Sequence, residues 1–199
     1  AFFDCAPVAK SMTGPDGRLM RVNPALAQML GTTIEALQNG HFASVTHPED
    51  IEASREVVRS ILAGERDQAR FRKRYLASDG RVVHADVSTR AHRNAAGEVE
   101  FLITHIVDES ARIEADRALR ESERFLDSVI ENIPDMVFVK DASELRFVRV
   151  NRAGERLLGY PRAALVGRAD LDFFPVEQAE AFIAKDRETL ARGAVVDIP

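Results

Sequence analysis

The chain has 199 residues, of which 45% are apolar, 27 are Lys or Arg and 32 are Asp or Glu, giving a net charge of −5 at pH 7. This composition suits one or two packed cores of about 100 residues each and excludes a largely disordered chain. The charges form no basic block, which argues against a nucleic-acid surface, and the one cysteine, Cys5, allows neither an intrachain disulfide nor a cysteine-based zinc site.

Short apolar runs at Val8 to Met12 and Leu19 to Val22 flank the turn-forming Gly14-Pro15-Asp16-Gly17 and predict a β-hairpin. Helical pieces follow: Pro24 to Leu30 before Gly31, Thr33 to Leu37, and a longer helix beginning around Pro48 and closing at Gly64. Ile51, Val58, Ile61 and Leu62 form its apolar face. Beyond Gly64 the pattern alternates. Phe71 and Tyr75 share one strand face, Ser78-Asp79-Gly80 turns, and Val83, Ala85, Val87, Thr89 and Ala91 line the next strand opposite His84 and His92. A third strand, Val99 to Val107, is apolar on both sides, which predicts packing on both sides. The sum is an α+β module, a five-stranded antiparallel sheet with helices on one face.

From Ser110 to about Ile133 the pattern is one polar helix. Ala115, Leu119, Ser122, Leu126, Val129 and Ile133 step alternately by four and three, the seam of a coiled coil. The expected partner is a second copy of the chain, paired through this linker, with a solvated connector as the other reading.

The chain also repeats itself. At an offset of 128 residues, Arg18, Arg21, Val22, Asn23, Ala25, Leu30, Gly31, Ala36 and Leu37 match Arg146, Arg149, Val150, Asn151, Ala153, Leu158, Gly159, Ala164 and Leu165. The same module is therefore expected in tandem. The expected boundaries are a first domain over 1–109, a linker helix over 110–132, and a second domain over 133–199 that stops before its last three strands.

The hairpin, the Val22-Asn23 and Val150-Asn151 pairs, the Leu30-Gly31 and Leu158-Gly159 pairs, Lys73-Arg74-Tyr75 before Ser78-Asp79-Gly80, and Phe101 to Val107 before Asp108-Glu109-Ser110 together resemble PAS sensory domains. That family usually shows Asp-Ile-Thr where Glu109 is the middle residue here. The second copy, with Asn132-Ile133-Pro134-Asp135 and Asp172-Phe173-Phe174-Pro175, is similar to a subtype found in bacterial sensor proteins. The resemblance implies a sensory and dimerising input region of a bacterial signal-transduction protein, most often a sensor histidine kinase. The alternatives are the input region of a diguanylate cyclase or phosphodiesterase, or a ligand-free dimerisation scaffold. None of the kinase or cyclase motifs falls within this chain, so it is expected to hold no catalytic residues of its own.

The inward face implied by the resemblance gathers Met29, Val58, Phe71, Tyr75, Val83, Ala85, Val87, Leu102, Thr104 and Ile106. These residues suit either a cavity for a small apolar ligand or a closed core. No cofactor and no metal is expected. Covalent flavin chemistry lacks its cysteine and glutamine, and a haem would have only His47 or His41 as ligand. No run reaches the roughly 18 apolar residues of a membrane span, and the expected setting is cytoplasmic, with a membrane anchor elsewhere in the parent left open.

Overall fold

The computed structural model describes residues 3–38 and 40–193, and the chain divides into two compact units, 1–117 and 118–199. In the first unit, β1 (Ala9–Thr13) and β2 (Leu19–Val22) form the hairpin, then come α1 (Pro24–Met29), α2 (Ile34–Leu37) and α3 (Ile51–Leu62). Strands β3 (Gln68–Leu76), β4 (Val82–Arg93) and β5 (Val99–Asp108) follow. The five strands make one antiparallel sheet in the order β2-β1-β5-β4-β3. Placing β5 between β1 and β4 brings the last strand to the centre.

The hairpin turn depends on Gly17. Its φ of 82° lies in the left-handed region, and a Cβ there would stand 2.3 Å from the His41 ring nitrogen, so no other residue fits without displacing that ring. Asn23 ends the hairpin and starts α1, its side chain accepting from the Leu26 N–H, with Pro24 at the first helical position. The expected long helix from Pro48 starts later. Pro48–Asp50 form a 3-10 turn capped by His47, and α3 begins at Ile51 with no side-chain cap bond from Asp50, whose carboxylate is engaged by Arg74.

Alternation along the strands sends Tyr75, Val83, Ala85, Val87 and Ile106 to one side, where they pack with Leu19, Val22, Leu26, Leu30 and Leu37. The opposite side differs from the expectation for β5. Phe101 and Ile103 are only half-buried and Val107 is 50% exposed, so within this unit the strand packs fully on its inner side alone.

α4 runs from Ser110 to Asn132 without a single buried residue. The second unit continues with β6 (Phe138–Lys140), β7 (Phe147–Val150), α5 (Arg152–Leu158), α6 (Arg162–Leu165) and α7 (Val176–Arg192). β6 and β7 form a two-stranded antiparallel sheet, and Phe147, Val150 and Leu165 make a small core with Leu158 and Phe173 against it. The turn between the strands is held by Asp141, whose oxygens accept from the Ser143, Glu144 and Arg146 N–H groups. These bonds, with the Ser143 hydroxyl foremost, hold its carboxyl down at about 2.

Candidate functional site

Of the ten residues expected to face a pocket, Tyr75, Val83, Ala85, Val87 and Ile106 lie in the core of the first unit, with Met29 and Phe71 packed against it. Leu102 is buried further along β5, and Thr104, half-buried, shares a 3.0 Å hydrogen bond with Thr89. Val58 stands apart. It is half-buried and lines a surface cleft with Gly17, His41 and Phe42. The imidazoles of His41 and His47 both act as caps: the Nδ1 of His41 accepts from Ala43 N–H at 3.1 Å and that of His47 from Glu49 N–H at 3.4 Å.

Charge enters this interior through β3. The side chain of Lys73, between Phe71 and Tyr75, is buried, its residue only 8% exposed. Its Nζ donates to Thr46 Oγ1 at 2.9 Å and lies 4.2 Å from the centre of the Tyr75 ring and 5.6 Å from that of Phe42. Burial pushes this amine down to about 7. Burial likewise pushes the Tyr75 phenol up. The next residue faces the other way: Arg74 donates from Nη2 to Asp50 Oδ1 at 2.6 Å and to Glu49 at 2.9 Å, while its backbone N–H reaches Asp50 Oδ2 at 2.7 Å. The Arg74 guanidinium holds the Asp50 carboxyl down at about 2.

Where β5 passes into α4, the chain is tied to β4. Glu109 N–H donates to the His84 carbonyl at 2.8 Å, and His84 N–H donates to Ser110 Oγ at 3.0 Å. Glu109, whose side chain is 19% exposed, accepts from Arg112 at 2.8 Å and stands 3.8 Å from Arg72. The departure from Asp-Ile-Thr at this position is thus an ion pair where the family pattern has an apolar residue. Arg72, Lys73, Arg74, His84, Asp50 and Glu109 border one cleft of about 350 Å³ at this junction.

The two repeated asparagines do the same work in each unit. Asn23 Oδ1 accepts from Lys10 and Leu26 N–H, and its Nδ2 donates to the carbonyls of Phe3, Ala6 and Val8. Asn151 Oδ1 accepts from Val137 and Gly154 N–H, and its Nδ2 donates to the carbonyls of Ile130, Ile133 and Asp135. Both are fully buried. The second unit adds a charged centre of its own. Lys140 Nζ bridges Asp170 at 2.6 Å and Asp186 at 2.7 Å, beside the rings of Phe138 and Phe147. This triad borders a groove of about 510 Å³ walled by Met136, Leu157, Leu158, Phe174 and Phe182.

All the expected seam residues from Ala115 to Val129 are exposed and Ile133 is half-buried; Leu119 is 60% and Leu126 55% exposed, and Phe125 beside them is 68% exposed. Among the described residues no group of His, Cys, Asp or Glu could hold a metal ion, and no helix is long and apolar enough to cross a membrane.

A sheet in the order 2-1-5-4-3, helices over one face and a polar helix leaving the last strand define the class of small α+β sensory modules. The chain belongs to the PAS fold family, whose model matches residues 3–114 and again 130–199. The probable diguanylate cyclase DgcE of Escherichia coli K12 is 30% identical over 101 residues, covering 51% of this chain and 9% of that protein, so the chain corresponds to a small part of it. Among solved structures, a PAS domain from Colwellia psychrerythraea is similar in fold, at 17% identity and a TM-score of 0.50, over 53% of this chain and 89% of that one. A sensory box histidine kinase/response regulator from Burkholderia thailandensis is 21% identical, with a TM-score of 0.48, over 61% of this chain and 91% of that one.

Proposed function

We propose that the chain is the sensory and dimerising input region of a bacterial signalling protein, with two PAS modules in tandem and α4 as the connection through which one acts on the other. The observation that carries this reading is the bare apolar stripe of α4. Leu119, Leu126 and Val129 recur at the 3.5-residue spacing that a second, parallel copy of the same helix would cover, and a solitary helix of this polarity gains nothing by exposing them. Replacing both Leu119 and Leu126 by Asp is expected to convert a dimer into a monomer in sedimentation. A double variant that sediments like the parent protein would remove α4 as the dimer interface.

The resemblance to DgcE favours a diguanylate cyclase as the output, whereas the residue pattern of the second module favours a histidine kinase; the input role is the same in both. The apolar groove beside Lys140 supports a second module completed by three further strands, which would lie over Phe174, Phe182 and Leu157. Extending the chain by about 40 residues, the length of three strands and their turns, is then expected to slow proteolysis between residues 135 and 193. Unchanged cleavage in the longer protein would count against that completion.

A further inference from the structure

The residues that flank the α4 seam are not equivalent. With Leu119, Leu126 and Ile133 at the a positions of a heptad and Ala115, Ser122 and Val129 at d, the e positions hold Asp116, Glu123 and Ile130, and the g positions hold Ala111, Ala118, Phe125 and Asn132. Phe125 is the odd member of this set. Its side chain is 68% exposed, against 60% for Leu119 and 55% for Leu126 in the seam itself, so its own chain leaves the ring in water.

The second unit holds α4 from another side. Asp127, at b, pairs with Arg149 at 2.8 Å, and Glu131, at f, pairs with Arg162 at 2.7 Å. Positions b and f point away from the a/d seam, so the second unit and a second helix can occupy α4 together. Ile130 lies between the two. It is half-buried, its carbonyl accepts from Asn151 Nδ2 at 3.1 Å, and its e position borders the seam. Phe125, at g, borders the seam on the other side.

We propose that Phe125 of one copy docks on Ile130 of a second copy, where α4 enters the second module, and that this contact sets the parallel orientation of the pair. The inference rests on the dimer through α4 proposed above. In a parallel pair each g residue stands beside the e residue of the following heptad on the other helix, which matches Phe125 with Ile130, Ala118 with Glu123 and Ala111 with Asp116. An apolar pair then closes beside Leu126 and Val129, and no two acids meet. In an antiparallel pair e faces e and g faces g. Asp116 of each copy would meet Glu123 of the other, a like-charge contact made twice, and Phe125 would meet only Ala118. The two-fold symmetry of the parallel pair forms the Phe125 contact twice, so each copy touches the other at the root of its second module.

The test uses the whole 199-residue chain carrying Cys5→Ser, so that each introduced thiol is the only one. Leu126→Cys is expected to oxidise to a disulfide-linked dimer, because a meets a in a parallel pair. Isotope-labelled copies with Phe125→Cys are mixed with unlabelled copies carrying Ile130→Cys, or Ala118→Cys in a second mixture, and treated with a short bismaleimide. The expected mixed product, identified by mass, joins position 125 to position 130 and is absent from the second mixture. Phe125→Ala should raise the dissociation constant of the dimer in sedimentation by about tenfold or more, the order expected for removing a buried aromatic ring. A dimer that forms no disulfide at position 126, that joins 125 to 118 rather than to 130, or that holds as tightly with Phe125→Ala overturns the proposal and leaves the dimer standing. A parent chain that sediments as a monomer removes the dimer reading and the contact together. Should Ile130→Cys fail to fold, Phe125→Ala and the Ala118→Cys mixture decide.

Discussion

Lys140→Met is expected to destabilise the second unit by about 3–5 kcal/mol, the usual cost of removing one partner from a buried ion pair. Asp170 is 2% exposed and would lose its cationic partner, and Asp186 on α7 would lose the contact that draws its helix onto β6. The unit has only a small core and a two-stranded sheet, so a loss of this size should abolish its cooperative unfolding. Amide exchange at Phe147 and Val150 is the measurement, with the first unit's strands as internal control. A triple variant that also carries Asp170→Asn and Asp186→Asn should recover part of the protection, because no acid is then left facing a lost cation. Protection at Phe147 and Val150 unchanged in Lys140→Met would mean that the triad does not hold β6 to α7.

Asn23→Asp should cost the first unit about 2–4 kcal/mol, and it divides the roles of this side chain. The carboxylate keeps an oxygen for Lys10 and Leu26 N–H, but its second oxygen then faces the carbonyls of Phe3, Ala6 and Val8, which lie 3.3, 3.3 and 2.9 Å from the native Nδ2. Burial and those carbonyls favour the protonated acid, so its folded-state pKa stands above the unfolded one. The deficit is therefore smallest in acid and grows as the pH rises through that folded-state value. Thermal melts of the variant and parent from pH 4 to 8 provide the check. Equal melting temperatures at neutral pH would sink the account, and a deficit without pH dependence would assign the loss to shape rather than charge.

The hairpin was readable from Gly14 to Gly17 because turn chemistry is local, and α4 was readable because its pattern is periodic and needs no partner within the unit to form. The repeated Asn23 and Asn151 were visible as identities, yet their five-bond arrangement was not, since the carbonyls they hold come from segments 15 to 21 residues earlier. Lys73 was within reach. The alternation that turned Phe71 and Tyr75 inward turns Lys73 inward as well, and a lysine on a buried face is a warning that composition alone conceals. Lys140 and Asp50 were not within reach, because their partners lie 24 to 46 residues away and only the folded chain brings them together.

The backbone held by Asn23 also carries the sole thiol of the sequence. Cys5 is exposed and sits between the gripped carbonyls of Phe3 and Ala6. A spin label or fluorophore attached there needs no engineered cysteine. Its mobility would report, in the native protein, whether the segment entering the first module is gripped or released. With one label per chain, the same attachment in a dimer would give a single intermolecular distance.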